Sequence, residues 1–241
     1  MARLKRLMAP EFWKVPKKRR KWVVSPRPGP HKKFESIPLL IIIRDVLKLT
    51  DIGKDAKKII KAKEIFVDGK PRKDYKYPVG LFDVVEIPKV GKQYRIIPTH
   101  VGLDVIEIPK NETKVKLCRI NGKTIIKGKK IQLNLHDGRC LIVDEKEKAK
   151  KTEKDSYMTG DSLLIELPDQ KIVEHVKMEK GVLGIITRGL NKGDIAHIKE
   201  AITTRSREPN KVICTKDGKD FESIMDYVFV VGKEKPLIKI K

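Results

Sequence analysis

Lys54, Lys57, Lys58 and Lys61 stand at helical spacing in one short stretch of the chain. At about 100° per residue their side chains fall on one side of a helix. Ile52, Ala56, Ile59 and Ile60 fall on the other. One face is then buried and the other is a row of ammonium groups, suited to holding successive phosphates. Lys70, Arg72 and Lys73 follow, around an Asp68-Gly69 turn. The chemistry these residues offer is electrostatic capture of a polyanion.

Residues for bond-making chemistry lack a comparable arrangement. His31, His100, His136, His175 and His197 are scattered, with no His-Glu-x-x-His pair. No glycine-rich loop ends in Gly-Lys-Ser/Thr. Cys118, Cys140 and Cys214 form no Cys-x-x-Cys pair, which argues against a thiolate zinc site and for reduced core thiols. His136-Asp137 sits at a hairpin turn, where a structural role fits. No catalytic residue, metal or cofactor is expected, and no small-molecule substrate.

Composition points to the same class of partner. The 241 residues carry 55 Lys+Arg against 32 Asp+Glu, a net charge of +23. Nucleic acid is the first reading of such a balance. No apolar run approaches the ~20 residues of a membrane span, so no membrane partner is expected. Residues 1–33 alone hold twelve Lys/Arg and one acid, Glu11. They show no periodic apolar face, and their prolines favour an extended path. Arg3, Lys5, Arg6, Lys17, Lys18, Arg19, Arg20, Lys21, Arg27, His31, Lys32 and Lys33, with Trp13 and Trp22 among them, suit an arm on RNA. The cations would take phosphates and the indoles would stack.

The elements that must position these groups can be read in order. Ser36-Ile37-Pro38 reads as an N-cap and helix start, with Leu39, Leu40, Ile43, Val46 and Leu47 at helical spacing. Arg44 and Lys48 lie one turn apart on its polar side. After the lysine helix come Ile65-Phe66-Val67, the Asp-Gly turn and Val84-Val85-Glu86-Ile87: strand, turn, loop, strand. Two small helices and a hairpin with a basic loop resemble the RNA-binding domain first known from ribosomal protein S4.

From about Tyr94 to Ile172 short alternating runs predict antiparallel hairpins. One is Val115 to Ile120 ending at an Asn121-Gly122 turn; another is Lys130 to Leu135 meeting His136-Asp137-Gly138. Ser162 to Leu167 completes the set, and the mixed charges of Lys146 to Lys154 read as a solvated loop. Lys180 to Ile198 gives strand, glycine-bearing loop and strand, the form of a KOW motif, with Arg188 and Lys192 as its cations. Val212 to Thr215, the Asp217-Gly218 turn and Tyr227 to Val231 would supply further strands of an SH3-like barrel.

The fold expected is α+β, mostly β and multidomain. A basic N-terminal extension covers 1–35, an S4-type RNA-binding domain 36–92, a central antiparallel β domain 93–172, and a KOW SH3-like barrel with tail 173–241. Taken together, Arg3-Leu4-Lys5-Arg6-Leu7, Val67-Asp68-Gly69-Lys70, Tyr77-Pro78-Val79-Gly80, Leu133 to Arg139 and Phe229 to Lys233 resemble the archaeal and eukaryotic small-subunit ribosomal protein S4e family. The resemblance implies small-subunit rRNA and neighbouring ribosomal proteins as partners, in the cytoplasmic ribosome. The alternative is a free RNA-binding factor of translation or transcription, which a high-salt wash would strip from small subunits. This chain departs from the family at Arg3, where His is usual, and at Leu190, Asp194 and Ala196, where the KOW loop usually has Arg, Arg and Gly. Two cations are absent and one anion is added, so this barrel is expected to contribute mainly shape and protein contacts.

Overall fold

The computed structural model describes residues 4–16, 18, 21–128, 130–144, 157–204 and 206–240. The chain divides into two compact units, one reaching to Lys116 and the other Leu117–Ile240. Among the described residues no helix is long and apolar enough to cross a membrane.

In the first unit the arm is folded against its neighbours, which corrects the extended path expected from its prolines. Strand β1 (Leu4–Lys5) pairs antiparallel with β2 (Trp22–Val23). Tight 3-10 turns at Arg6–Met8 and Glu11–Trp13 lie between them. Leu4, Ala9 and Trp13 join one core with Leu39 to Ile43, Ile60, Val67 and Val85. An arm needs no apolar periodicity when another element supplies the surface that buries it. Single apolar residues at irregular spacing are enough.

The first helix starts later than its cap signal predicts. β3 (Ile37–Pro38) pairs with Pro78–Val79, so the backbone of Ile37 is held extended. Ser36 Oγ donates to the Lys32 carbonyl at 2.9 Å and caps no helix. α1 (Leu39–Ile41) follows directly after Pro38 and continues as a π-helical turn, Ile42–Val46. All five residues from Leu39 to Ile43 are buried. α2 (Gly53–Lys61) buries Ala56 and Ile60 beneath its lysines. Ile52 is not on that apolar face: it precedes the helix with extended φ of −106° and is 61% exposed.

β4 (Phe66–Val67) and β5 (Lys70–Pro71) are joined by Asp68 and Gly69 at φ of 53° and 70°. Positive φ at both positions is the type I′ turn that an Asp-Gly pair favours. With β6 (Pro78–Val79) paired to β3, the main sheet of this unit runs β5-β4-β7-β8-β9, adding β7 (Val84–Ile87), β8 (Lys92–Thr99) and β9 (Gly102–Ile108). β8 pairs with β7 from Arg95 to Lys92. The boundary expected at 92/93 therefore cuts a strand, and residues up to Lys116 belong to the first unit.

The second unit contains two five-stranded antiparallel sheets. One has the order β12-β11-β10-β13-β14, from β10 (Val115–Ile126, of which Leu117 onward lies in this unit), β11 (Lys130–Leu135), β12 (Cys140–Asp144), β13 (Ser162–Glu166) and β14 (Ile172–Val176). Asn121-Gly122 makes no turn here. β10 runs through it, and the register with β11 shifts between Ile120 and Gly122. The pair supplies a bulge, an alternative use of the same backbone freedom. The chain turns instead near Gly128, at φ of 85°. The charged stretch Lys146 to Lys154 lies outside the described residues.

The other sheet has the order β18-β17-β16-β15-β19. Its strands are β15 (Leu183–Ile186), β16 (Ile195–Ile202), β17 (Lys211–Lys216), β18 (Lys219–Ile224) and β19 (Val228–Gly232). Asp217 and Gly218 form the expected tight turn, at φ of 49° and 77°. The 172/173 boundary falls at the start of β14, and both sheets belong to one unit. Cys118 and Cys214 are buried as expected, and burial pushes the Cys214 thiol up to about 11. Cys140 is exposed, so it is not a core thiol.

Candidate nucleic-acid interface

The sequence-predicted cations of the first unit separate into two groups by pairing and burial. On α2, Lys54, Lys58 and Lys61 are exposed and Lys57 half-buried. Lys58 lies 3.7 Å from Asp55, an exposed pair one turn apart. Lys57 Nζ sits 4.6 Å from the centre of the Tyr75 ring, and Lys76 Nζ 5.6 Å from it. Lys70 and Lys73 are exposed, while Arg72 lies over Tyr77 at 4.3 Å. Burial, with the Asp83 carboxylate, pushes the Tyr77 hydroxyl up to about 12. Lys5, Lys18, Lys21, Lys32, Lys33 and Lys48 are exposed as well.

Other predicted contacts are buried or engaged within the protein. Trp13 has no exposed surface and its Nε1–H donates to the Ser36 carbonyl at 2.9 Å. It cannot stack on a base; it anchors the arm. Arg6 is buried and donates to the Pro16 carbonyl at 2.6 Å. Arg27 pairs with Asp74 at 3.0 Å, and half-buried Arg44 with Asp45 at 2.7 Å. His31 is a structural hydrogen-bond partner: its buried Nε2 lies 3.0 Å from both Asp83 carboxylate oxygens. Arg3, Lys17, Arg19 and Arg20 lie outside the described residues.

His31 belongs to a buried charge cluster that sequence reasoning missed. Lys116 Nζ donates to Asp68 at 2.8 Å and to Asp83 at 2.5 Å. Asp68 also accepts from the Val84 N–H at 3.0 Å, and Asp83 from the Gly80 N–H at 2.8 Å. Burial alone would raise the Asp83 carboxyl. The adjacent His31 and Lys116 outweigh it and hold the carboxyl well below the usual carboxylate range. A Cβ at Gly80 would meet the His31 ring at 2.2 Å, so this glycine is what lets the arm approach. Nothing in the spacing of residues 31, 68, 83 and 116 announces the cluster, because it is assembled by tertiary pairing.

A second feature missed is a cleft of about 750 Å³ in the first unit, lined from β1, β2, α1, the start of α2 and the Tyr75-Lys76 loop. Its signal was present: Arg72, Lys73, Tyr75, Lys76 and Tyr77 interleave cations with aromatics. Trp22, 41% exposed, forms part of its wall with Lys21 Nζ 5.4 Å from the ring centre. In the second unit Arg188 is exposed beside Tyr227, Lys192 is half-buried, and Leu190 is fully exposed. Asp194 is paired with Lys216 at 2.7 Å.

Comparison with known proteins extends over the whole chain. Residues 90–172 match the model of the ribosomal family S4e, residues 2–34 the RS4NT domain and residues 54–85 the S4 domain. Small ribosomal subunit protein eS4 of Methanocaldococcus jannaschii is 47% identical over 238 residues, covering 98% of this chain and 96% of that relative. Its counterpart in Archaeoglobus fulgidus is 46% identical, covering 98% and 97%. The crystal structure of the 30S ribosomal protein S4e from Thermoplasma acidophilum is 33% identical with a TM-score of 0.68, covering 83% of this chain and 96% of that one.

Proposed function

The chain belongs to the small ribosomal subunit protein eS4 family, and on that premise we propose that it is a structural constituent of the small subunit, binding and stabilising folded small-subunit rRNA in the cytoplasmic ribosome. The observation that carries this reading is the near-full-length likeness, 98% of the chain at 47% identity, to a relative whose name places it in that subunit. The α2 lysines supply the physical means. Lys54, Lys58 and Lys61 are exposed and Lys57 half-buried, on a helix whose base is the buried Ala56 and Ile60, and Lys57 shares the Tyr75 ring with Lys76. Membership in a ribosomal family supports a structural rather than enzymatic role.

The proposed contacts are Lys5, Lys18, Lys21, Trp22, Lys32, Lys33, Lys48, the α2 lysines and the Lys70–Lys73 loop. In the second unit we read β15, its glycine loop and β16 as a KOW-type segment of an SH3-like barrel, with Arg188 and Lys192 as its cations. Leu190 and the Lys216-paired Asp194 leave that loop poor in free charge, which favours shape and neighbouring ribosomal proteins as its contacts. Chemical footprinting of small-subunit rRNA with and without the protein tests the reading. Discrete protections that persist through a high-salt wash are expected. No protection, or loss of the protein in the wash, would overturn it.

A further inference from the structure

The cleft beside the lysine face is built for more than phosphates. Leu4 and Leu40 are buried at its lining, and Val23 and Val24 continue the apolar surface. Trp22, 41% exposed with Lys21 Nζ 5.4 Å from its ring centre, and Ile52, 61% exposed, complete the lining. Its volume of about 750 Å³ lies within the ~300–1,000 Å³ typical of sites that enclose a small organic group. Lysines and arginines are the charged residues of the lining, and no carboxylate is among them. Tyr75 orders two of these cations, Lys57 and Lys76, over its ring.

A continuous duplex would use the rim and waste the interior, since its bases are stacked away from side chains. A nucleotide already outside a helix offers the matching pair of surfaces, a flat apolar base and a phosphate on either side. Building on the rRNA-binding reading, we propose that this cleft seats the base of one unpaired RNA nucleotide, stacked on Trp22, with Lys54, Lys57 and Lys76 on the flanking phosphates. The base leaves its helix at little cost because it is unpaired from the start. Stacking on an indole is tolerant of base identity, so the site selects an unpaired position rather than a sequence.

The test uses the full-length protein and three synthetic RNA hairpins: fully paired, with a single bulged adenosine, and with the same bulge made abasic. The adenosine bulge should bind about tenfold tighter than the other two. Trp22→Leu should abolish that preference and Trp22→Phe retain it, both without unfolding, because the ring is at the surface. Lys54→Gln with Lys57→Gln should weaken all three RNAs alike. Intrinsic fluorescence gives an independent readout, since Trp22 is open to quenching and Trp13 is buried. Equal, salt-sensitive binding of all three hairpins would overturn the base seat and leave the rRNA reading intact, as would a preference surviving Trp22→Leu. Failure of the unaltered protein to bind any of them would overturn both.

Discussion

Lysines on α2 and lysines on the sheet of β15 to β19 carry the same charge and differ in company. In and beside the sheet, Lys199 pairs with Asp220, Lys211 with Glu222, Lys180 with Glu200 and Lys216 with Asp194. On α2, Lys54, Lys57 and Lys61 have no carboxylate partner among the described residues, and Lys58 has only the loose pairing with Asp55. A paired ammonium must give up its partner before it takes a phosphate, whereas an unpaired one gives up only counterions. Net charge therefore overstates the cations free to take phosphates, and on our reading the pattern of pairing favours the first unit over this sheet.

Charges buried in the first unit carry the largest expected effect. Lys116→Ala should leave Asp68 and Asp83 facing each other out of water and cost ~3–5 kcal/mol in a urea titration. The same cluster sets an acid limit. Because the Asp83 carboxyl is held below its unfolded value, its stabilisation is complete above about pH 4 and is lost as pH falls through the folded value. Asp83→Asn should be less stable at neutral pH and flatten that acid dependence. An acid profile unchanged by the substitution would show that the loss comes from other carboxylates. Trp13→Ala empties a fully buried site and should cost a similar ~3–5 kcal/mol. If RNA affinity fell while urea stability held, Trp13 would be an RNA-binding residue after all.

A smaller effect separates the exposed lysines from these buried groups. Converting Lys54, Lys57, Lys58 and Lys61 together to Gln should weaken rRNA binding at moderate salt and leave stability nearly unchanged. The slope of log K against log salt should flatten by up to ~0.7–0.9 for each phosphate left without its lysine. The same change at Lys180, Lys199, Lys211 and Lys216 should move the slope less. Equal slopes for the two variants would erase the distinction between paired and unpaired lysines.

Much of this was legible in the chain because it rests on local rules. The α2 stripe follows from 3.6-residue periodicity, and the Asp68-Gly69 and Asp217-Gly218 turns from backbone freedom at those residues. What the sequence hid is non-local. Trp13 and Trp22 both sit among cations nine residues apart, and only tertiary packing sends one into the core and leaves the other partly exposed. His31 looks like one more basic residue of the arm until Asp83 and Lys116 close around it. Asn121-Gly122 satisfies the rule for a hairpin turn, but β10 stays paired with β11 from Gly122 to Ile126, so the chain runs straight through and the pair falls at a register shift.

The smallest expected effect sits in the loop between β15 and β16. Asp194 occupies a position where the family usually carries an arginine, and its carboxylate holds Lys216 at 2.7 Å on the neighbouring part of the sheet. Asp194→Arg would add one cation and release another, while removing a surface ion pair of the kind that contributes little to folding. If this loop faces RNA, the variant should bind rRNA more tightly and with a steeper salt dependence, because two more ammonium or guanidinium groups can displace counterions. If it faces a protein neighbour, affinity for naked rRNA should stay as it was. Our reading expects the second result, with affinity unchanged or raised only slightly. A marked loss of RNA binding would mean that the Asp194–Lys216 pair shapes the loop for its partner, and that pairing in this sheet serves recognition rather than withholding charge from it.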